Sequence, residues 1–392
     1  MQTDKMFDVL VLGAGPAGAA AAVFSANKGL TVSVLERNAM LTPQAARLEW
    51  LHPQTHALLD RVGVTSQDAV LGTIDRVRFV DAARNRNATA PLDVTTDIVD
   101  TMRLTEDMLA AARAAGAELT CDAEVTSIET HEHAVTLNTR SGERVSGRFL
   151  IAADGYDSLA VKAFGFDQEQ PPALPTSCCQ SVCGTSVSPV VHHRRDAGAT
   201  VIPAAAKPTG DGELTWILTS DDLSSFGYTY AVGGYVVIGF VAPIPTDDMS
   251  ARFEEAIVQW RGAGILPEGV DARGARSEAR RVPRGIALDA DTHVAKRSLI
   301  IGDAGGYVTA ASHEGLYPAI WSASLATEVC AEAKSARHPQ DALAEFDARW
   351  RREMIEYLRL PNADLRFLIP LLFTNERMAQ RLTNALLGGT NL

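Results

Sequence analysis

Residues 7–36 read FDVLVLGAGPAGAAAAVFSANKGLTVSVLE, and their pattern predicts the fold of the N-terminal part of the chain. The apolar run 7–12 predicts a buried strand, and the glycines that follow it predict a tight turn. The alanine-rich run 19–28 predicts a helix that ends at Gly29, and the apolar run 31–35 predicts a second strand. A strand, a helix and a strand in this order form a unit in which the two strands lie parallel to each other.

The turn has the spacing Gly-x-Gly-x-x-Gly, directly after a strand and at the start of a helix. The first glycine permits the tight turn, the second lets backbone N–H groups approach a pyrophosphate, and the third allows close helix packing. Glu36 ends the second strand about 20 residues further on, where a carboxylate can accept hydrogen bonds from ribose hydroxyls. A turn without a ligand is the alternative, which this combination disfavours. The expected contacts of an ADP-containing cofactor are Gly13, Gly15, Pro16, Ala17, Gly18, Glu36 and Arg37.

The same turn binds the ADP half of NAD or of FAD, so a later segment has to decide between them. The run 298–301 predicts another buried strand, and it leads into Gly302-Asp303-Ala304-Gly305-Gly306 before a helix from Gly315. A carboxylate at a strand end and a helix N-terminus suit the second part of a long cofactor. The ribityl chain and ring of FAD need such a second site, whereas NAD does not. FAD is the predicted cofactor, with an exposed turn aspartate as the alternative interpretation of Asp303.

The middle of the chain has a different character from the N-terminal part. From about 170 to 245 it contains many prolines, β-branched residues and short alternating runs, which are typical of an antiparallel sheet. We find no repeat and no low-complexity linker. The expected fold is α/β, with a Rossmann-like FAD-binding domain interleaved with an antiparallel β-sheet substrate domain and followed by a C-terminal helical segment. The expected bounds are 1–75, 100–165 and 281–335 for the FAD-binding domain, 76–99 and 166–280 for the substrate domain, and 336–392 for the C-terminal helices.

Composition limits the partners of the protein. The chain has 392 residues, of which 46% are hydrophobic, so it can bury a large core. Its net charge of -12 argues against a nucleic-acid partner, because phosphates have to be neutralised by a basic surface. No apolar run reaches membrane-spanning length, so we expect no stable membrane insertion. The five cysteines show no spacing typical of metal ligands or disulfides, and we expect no metal site and a cytoplasmic location.

The chain resembles FAD-dependent oxidoreductases of the para-hydroxybenzoate-hydroxylase-like fold, which include group A flavin monooxygenases and geranylgeranyl reductases. The resemblance covers most of the first 330 residues and rests on several segments besides the glycine turn. These segments are RLEWLHPQTHALLDRVGV at 47–64, RLTEDMLAAARAAGAEL at 103–119, ADGYDS at 153–158 and GDAGGYVTAASHEGLYPAIWSA at 302–323.

The resemblance implies a set of FAD contacts beyond the glycine turn. They are Arg47 and Arg103 along the cofactor, Val125 at the adenine end, Asp154 and Gly155 near the pyrophosphate, Asp303 at the ribityl chain, and Gly302, Gly305, Gly306, Glu314 and Gly315. Without the resemblance, both arginines would be interpreted as surface residues of amphipathic helices.

Three positions near the expected flavin ring separate this chain from its relatives. Where monooxygenases of the family usually have a histidine, the chain has Gly306, in the style of the reductases. Ala310 replaces a proline common to both branches, and His313 replaces the first glycine of the usual Gly-Glu-Gly. His313 is the single catalytic candidate, as a proton donor or a hydrogen-bond partner, and a helix-capping residue is the alternative.

The substrate side offers fewer signals. Tyr228 and Tyr230 fall where prenyl reductases carry a substrate motif, although the Phe-Pro pair of that motif is missing. They are expected to line the substrate cavity, with ordinary sheet packing as the alternative.

The leading hypothesis for the reaction is monooxygenation of a small hydrophobic or aromatic molecule, as in secondary metabolism. NADPH or NADH would dock transiently as the reductant, because the chain has one dinucleotide fingerprint and no second. The alternatives are reduction of a carbon-carbon double bond and a non-catalytic flavin-binding protein.

Overall fold

A computed structural model describes residues 5–39, 47–166, 176–184, 212–266, 277–360 and 364–388. The strands are β1 (Met6–Leu12), β2 (Val32–Leu35), β3 (Leu48–Leu51), β4 (Val70–Asp81), β5 (Arg86–Asp100), β6 (Glu118–Thr120), β7 (Val125–Thr130), β8 (Val135–Thr139), β9 (Arg144–Ala152), β10 (Thr176–Gly184), β11 (Glu213–Leu218), β12 (Phe226–Val232), β13 (Tyr235–Ala242), β14 (Ser277–Val282), β15 (Val294–Ala295) and β16 (Ser298–Ile300). The helices are α1 (Pro16–Asn27), α2 (Gln54–Asp60), α3 (Thr101–Ala114), α4 (Leu159–Phe164), α5 (Thr246–Gly262), α6 (Ile286–Asp289), α7 (Leu316–Ser335), α8 (Pro339–Leu358), α9 (Leu365–Leu372) and α10 (Glu376–Leu387).

The first sheet contains the predicted strand-helix-strand unit. Its main strand order is β15-β16-β9-β1-β2-β6, and β1 lies parallel to both β2 and β9. Helix α1 packs against α3 and α7 on one face of this sheet, and its alanines are buried there. Strand β16 lies parallel to β9, so the segment near 300 returns to the same sheet as the N-terminal strand. The expected α/β fold with a Rossmann-like unit is therefore confirmed.

The second sheet is mostly antiparallel and has the strand order β14-β10-β13-β12-β11-β4-β5-β3. Helix α5 covers one face, where Phe253 and Trp260 pack against the strands. Helices α9 and α10 cover part of the other face through residues such as Ile369 and Leu382. Because β3, β4 and β5 precede most of the first sheet's later strands, the two sheets are interleaved along the chain. The sheet thus presents one face toward α5 and the other toward the C-terminal helices.

The second sheet also takes in Leu48–Leu51 and Val70–Asp81, two strands that begin inside the segment 1–75. The division of the chain into domains stays a prediction. The C-terminal segment is helical, as expected from its pattern. In the apolar stretch of α9, Leu365, Ile369 and Leu372 are buried, whereas Phe367 is 75% exposed. None of the described helices combines the length and apolar character that a membrane crossing requires.

Candidate functional site

The glycine turn joins β1 to α1 at the edge where the parallel strands end. Gly13 has a φ of +93°, and a Cβ added there would lie 2.6 Å from the carbonyl oxygen of Ala153. A Cβ on Gly18 would collide with the carbonyl oxygen of Gly13. Gly15 is different, because a Cβ there would meet no atom within 4 Å. Gly13 and Gly18 are thus required by packing, while Gly15 leaves the N-terminus of α1 accessible to a ligand.

Glu36 connects the end of β2 to the glycine turn. Its Oε2 accepts a hydrogen bond from the backbone N–H of Ala14 at 2.9 Å, and its Oε1 accepts from the backbone N–H of Asn38 at 2.9 Å. The side chain is 7% exposed, so the carboxylate is held in one position. Oε1 also accepts from Nδ2 of Asn38 at 2.8 Å, so Oε2 is the oxygen whose second lone pair remains suited to a ribose hydroxyl. Arg37, the next residue, is exposed.

A second turn lies beside the first. Residues Gly302–Gly305 form a short 3-10 helix after β16, and a Cβ on Gly302 would lie 2.6 Å from the Cβ of Ala17 in α1. Asp303 lines the same cavity as Gly15 and Pro16. Burial raises the pKa of its carboxyl group, and the nearby arginines oppose this shift. The two segments that are almost 300 residues apart in sequence therefore form one site.

Gly306 and Gly305 complete this turn. Gly306 has a φ of +74°, and a Cβ there would lie 2.6 Å from the backbone nitrogen of Ala287. This backbone position has no room for the histidine that monooxygenases of the family usually have. Gly305 accepts a hydrogen bond through its carbonyl oxygen from Nε2 of His293 at 2.7 Å, which ties the turn to the buried core beneath it.

A cavity of about 150 Å³ extends from the two turns to the second sheet. The walls that face each other differ in chemistry. The first-sheet wall consists mainly of backbone and small side chains, at Gly15, Pro16, Ala17, Ala153, Gly155, Asp303, Gly315 and Ala319. The second wall combines apolar and aromatic residues with three charged ones, and its residues are Trp50, Cys178, Tyr228, Val241, Val282, Val308, Arg47, Glu49 and Arg280. A cofactor held by the first wall would thus present its ring to a compartment with aromatic and aliphatic side chains and one charged cluster.

Tyr228 and Tyr230 lie on the same face of β12, but only Tyr228 lines this cavity. Tyr230 stacks behind it, with ring centroids 6.2 Å apart, and its hydroxyl donates to the backbone oxygen of Leu48 at 2.6 Å. The hydroxyl of Tyr228 accepts a hydrogen bond from Nε2 of Gln180 at 3.1 Å. The structure therefore places Tyr228 at the cavity and Tyr230 in the sheet packing behind it.

A cluster of charged side chains lies at the cavity, and it was not expected from the sequence. Glu49 accepts hydrogen bonds from Arg47 and from Nη2 of Arg280, the latter at 3.0 Å. Burial alone would raise the pKa of Glu49, but the two guanidinium groups outweigh it and lower the pKa. The sequence contains adjacent Arg280 and Arg281, and strand alternation predicts only that one of them faces inward. Arg47 was expected from the resemblance alone, and nothing in the sequence distinguishes Arg280 from Arg281.

Three residues assigned by the resemblance lie away from the cavity. Arg103 is on the exposed side of α3, where its Nε donates to Asp107 at 3.1 Å. Val125 begins β7 and packs against the core of the first sheet. The carboxylate of Asp154 accepts from the hydroxyl of Ser158 at 2.7 Å and from the N–H of Leu159 at 2.6 Å, so it fixes the start of α4. Their contacts with FAD remain predictions.

Glu314 and His313 precede α7 at the cavity. Glu314 accepts a hydrogen bond from the backbone N–H of Tyr317 at 2.7 Å and from the hydroxyl of Tyr357 at 3.0 Å. Its burial raises the pKa of the carboxyl group to about 8. Neither ring nitrogen of His313 has a hydrogen-bond partner among the described residues. The interpretation of His313 as a helix cap is therefore wrong, because the side chain of Glu314 satisfies the first turn of α7 instead.

These residues fit FAD. The N-terminus of α1 receives no side-chain cap from the described residues, so its N–H groups are available to a pyrophosphate. Glu36 is placed for the ribose. Gly315 is the N-cap residue of α7 beside Asp303, and one N–H of the first turn of this helix, that of Tyr317, is bonded to Glu314. The N-termini of α1 and α7 thus line one cavity, and Glu36 lies beyond it on the far side of the glycine turn.

Comparison with known proteins agrees with this geometry. A family model described as an FAD binding domain matches residues 6–220, which is more than half of the chain. Rifampicin monooxygenase of Streptomyces venezuelae is 25% identical over 223 residues, which cover 56% of this chain and 47% of that protein. Digeranylgeranylglycerophospholipid reductase 2 of Methanopyrus kandleri is 29% identical over 178 residues, which cover 44% of each protein. The chain therefore spans less than half the length of these two relatives.

A solved structure shows the same fold. The geranylgeranyl bacteriochlorophyll reductase-like protein of Thermoplasma acidophilum superposes with a TM-score of 0.69 at 15% identity, covering 99% of this chain and 93% of that one. The expected resemblance is confirmed by both kinds of comparison. The chain belongs to the FAD-binding-domain family and is an FAD-dependent oxidoreductase of the superfamily of group A flavin monooxygenases and geranylgeranyl reductases.

Proposed function

We propose that the protein is an NAD(P)H-using monooxygenase that acts on a small hydrophobic or aromatic molecule. The observation that carries this proposal is the cavity with two unlike walls, since its second wall includes Trp50, Tyr228 and Val241. Aromatic and aliphatic side chains select a hydrophobic substrate and exclude water from the reacting groups. The similarity to a rifampicin monooxygenase supports the same class of reaction.

The protein's own residues have separate tasks in this proposal. Bound FAD supplies the electron transfer and the oxygen chemistry, and the chain supplies binding, orientation and a dry compartment. The N-terminus of α1 holds the phosphates, Glu36 holds the ribose, and Asp303 holds the ribityl part. The second sheet holds the substrate, with the hydroxyl of Tyr228 fixed by Gln180. Gly155 and Gly315, which line the cavity, keep the backbone close to the cofactor, and Gly305 leaves room for Tyr307 and His293 beneath the turn.

The reductant would bind transiently, as either NADPH or NADH. The sequence has a single dinucleotide fingerprint, which we assign to FAD, so a nicotinamide cofactor has no domain of its own. The strongly acidic chain supports a small-molecule partner over a nucleic acid. A cytoplasmic location and a role in secondary metabolism stay predictions.

Oxygen consumption tests the proposal. The FAD-loaded protein is mixed with NADH or NADPH and a panel of small aromatic compounds, and oxygen uptake is followed with an electrode. We expect one panel member to stimulate uptake and, under ¹⁸O₂, to gain one labelled oxygen atom. A product without label, formed equally well under anaerobic conditions, would refute a monooxygenase. Failure of NADH, NADPH and dithionite to bleach the flavin would favour the non-catalytic alternative.

Reduction of a carbon-carbon double bond is the second candidate, and Glu314 favours it. This reaction needs a proton donor beside the flavin, and a carboxyl group with a pKa of about 8 is protonated at neutral pH. His313 is a poorer donor than expected, because burial and the charge of Arg284 lower its pKa well below the usual value. In an anaerobic assay with NADPH, a saturated product that Glu314→Gln no longer forms would support the reductase.

A further inference from the structure

His313 carries two unfavourable features at one position of the cavity wall. Its Nδ1 and Nε2 are both shielded from solvent and lack hydrogen-bond partners among the described residues. Most buried polar side-chain atoms in proteins are hydrogen-bonded, so two unpaired nitrogens on one ring are unusual. The backbone φ of His313 is +57°, in the left-handed region that residues with a Cβ rarely adopt. Such strain is found preferentially at functional sites.

The surroundings of the ring define what it can bind. Its centroid lies 5.1 Å from that of Phe226, which belongs to β12 of the second sheet, so the ring is on the substrate side of the cavity. Arg284 is the nearby cation, and its Nε is already used by the backbone oxygen of Ala310 at 2.6 Å. Burial and this cation lower the pKa of His313, so the imidazole is neutral near pH 7. A neutral imidazole offers one donor and one acceptor.

We propose that His313 determines substrate specificity by hydrogen-bonding, as a neutral imidazole, an uncharged hydroxyl group carried by a hydrophobic ring. The proposal rests on the proposed function, because it takes the cavity beside Tyr228 as the substrate compartment. His313 lines the cavity, so we expect a turn of its ring to bring one nitrogen to a hydroxyl that donates to it or accepts from it. A substrate without such a group leaves both nitrogens unpaired, and this is the source of discrimination.

Binding of two matched probes tests this role. The compounds 4-methylphenol and 1,4-dimethylbenzene have nearly the same shape and differ by one hydroxyl in place of a methyl group. Their affinities for the FAD-loaded protein are measured by calorimetric titration at neutral pH. We expect the wild-type protein to prefer 4-methylphenol by about tenfold or more, the range expected for a buried hydrogen bond. Equal affinity for the two probes, or binding of neither, overturns the proposal.

Two variants of equal length separate hydrogen bonding from packing. His313→Gln keeps a donor and an acceptor, whereas His313→Met keeps only bulk, and both place an unbranched side chain on the same strained backbone. We expect Gln to keep most of the preference and Met to reduce it to about twofold or less. The hydrogen-bonding role is contradicted if His313→Met still prefers 4-methylphenol as the wild type does. It is also contradicted if His313→Gln and His313→Met lose this preference equally.

The flavin is the competing partner for the ring. Apoprotein of each variant is titrated with FAD, and we expect dissociation constants within about twofold of the wild-type value. Weaker FAD binding in Met alone, together with unchanged probe preference, would assign the ring to the flavin and overturn the proposal. Because probe binding needs no turnover, these results are independent of the oxygen-uptake assay. That assay alone decides whether the protein is a monooxygenase.

Discussion

Arg280 donates a hydrogen bond from Nη2 to Oε1 of Glu49 at 3.0 Å, and these two residues lie on the two edge strands of the second sheet. Edge strands β14 and β3 are at opposite ends of an eight-strand order, so the sheet curls until its edges meet. Gln180 of β10 reinforces the junction, since its side-chain amide donates to the backbone oxygen of Leu48 at 3.0 Å. The junction forms part of the cavity wall, which links the shape of the sheet to the site.

Removing the guanidinium of Arg280 tests this junction. Arg280→Met leaves Glu49 with one fewer partner, so we expect a loss of about 1–2 kcal/mol in the free energy of unfolding and weaker FAD binding. Arg281→Met is the control, because Arg281 is exposed and pairs only with exposed Asp157 at 3.2 Å among its described ion pairs. The control should change stability by less than about 0.5 kcal/mol. Urea unfolding and FAD titration provide both measurements, and equal losses would contradict a structural junction.

Substitutions at Gly15 and Gly13 are expected to differ in their effects: the first weakens FAD binding and the second lowers the stability of the fold. Gly15→Ala meets no neighbouring atom in the protein, so it should fold normally and bind FAD at least about tenfold more weakly, because its Cβ faces the ligand. Gly13→Ala forces a Cβ against Ala153 at a positive φ and should lose about 2 kcal/mol or more of stability. Thermal unfolding of the apoproteins and fluorescence titration with FAD distinguish them. Normal FAD affinity in Gly15→Ala would argue against this turn as the phosphate site.

Glu314 predicts a pH-dependent stability. Burial raises the pKa of its carboxyl group in the folded protein from an ordinary value of 4.5 to about 8. The folded state therefore favours the protonated form, and stability is lost as the pH rises from about 4.5 through about 8. Gln resembles the protonated acid, so Glu314→Gln should match the wild type at pH 5. At pH 9 it should be more stable, by an amount on the order of 3–5 kcal/mol.

The measurement for Glu314 is urea unfolding of the apoprotein at pH 5, 7 and 9. The difference between the variant and the wild type should grow steadily over this series. Parallel pH profiles would show that the carboxyl group titrates normally in the folded protein. Tyr357→Phe, which removes the hydroxyl that donates to Glu314 at 3.0 Å, provides a second test and should leave the direction of the dependence unchanged.

The variant Gly306→Ala tests whether the backbone at this position leaves no room for a side chain, such as the histidine that monooxygenases of the family usually have. Gly306→Ala places a Cβ against the backbone of Ala287 at a φ of +74°, whereas Gly29→Ala meets no atom within 4 Å at a φ of +75°. Both variants carry the same backbone strain of about 1 kcal/mol, and only Gly306→Ala adds a steric clash. We expect Gly306→Ala to be less stable than Gly29→Ala by about 1–3 kcal/mol in urea unfolding. Similar losses would show that the turn moves to make room.

The segments with local signals are predictable from the amino-acid pattern alone. The strand, glycine turn and helix at 7–29 follow from hydrophobic pattern and from glycines that only a tight turn requires, and Glu36 follows from its distance along the chain. The turn at 302–306 was found in the same way, by its small residues after a buried strand. These features depend on neighbours within a few residues, so their identification as an FAD site needed no knowledge of the tertiary structure.

The side chains that meet at the substrate end are fixed by long-range contacts of the folded chain. Glu49 and Arg280 are 231 residues apart, and their contact depends on how far an eight-stranded sheet curls, which no local pattern encodes. Tyr228 and Tyr230 have the same alternation, and packing depth alone separates the lining residue from the buried one. His313 and Glu314 are neighbours, yet the first turn of α7 takes the carboxylate and leaves the imidazole unpaired. Long-range register and burial, which fix these choices, are properties of the folded chain.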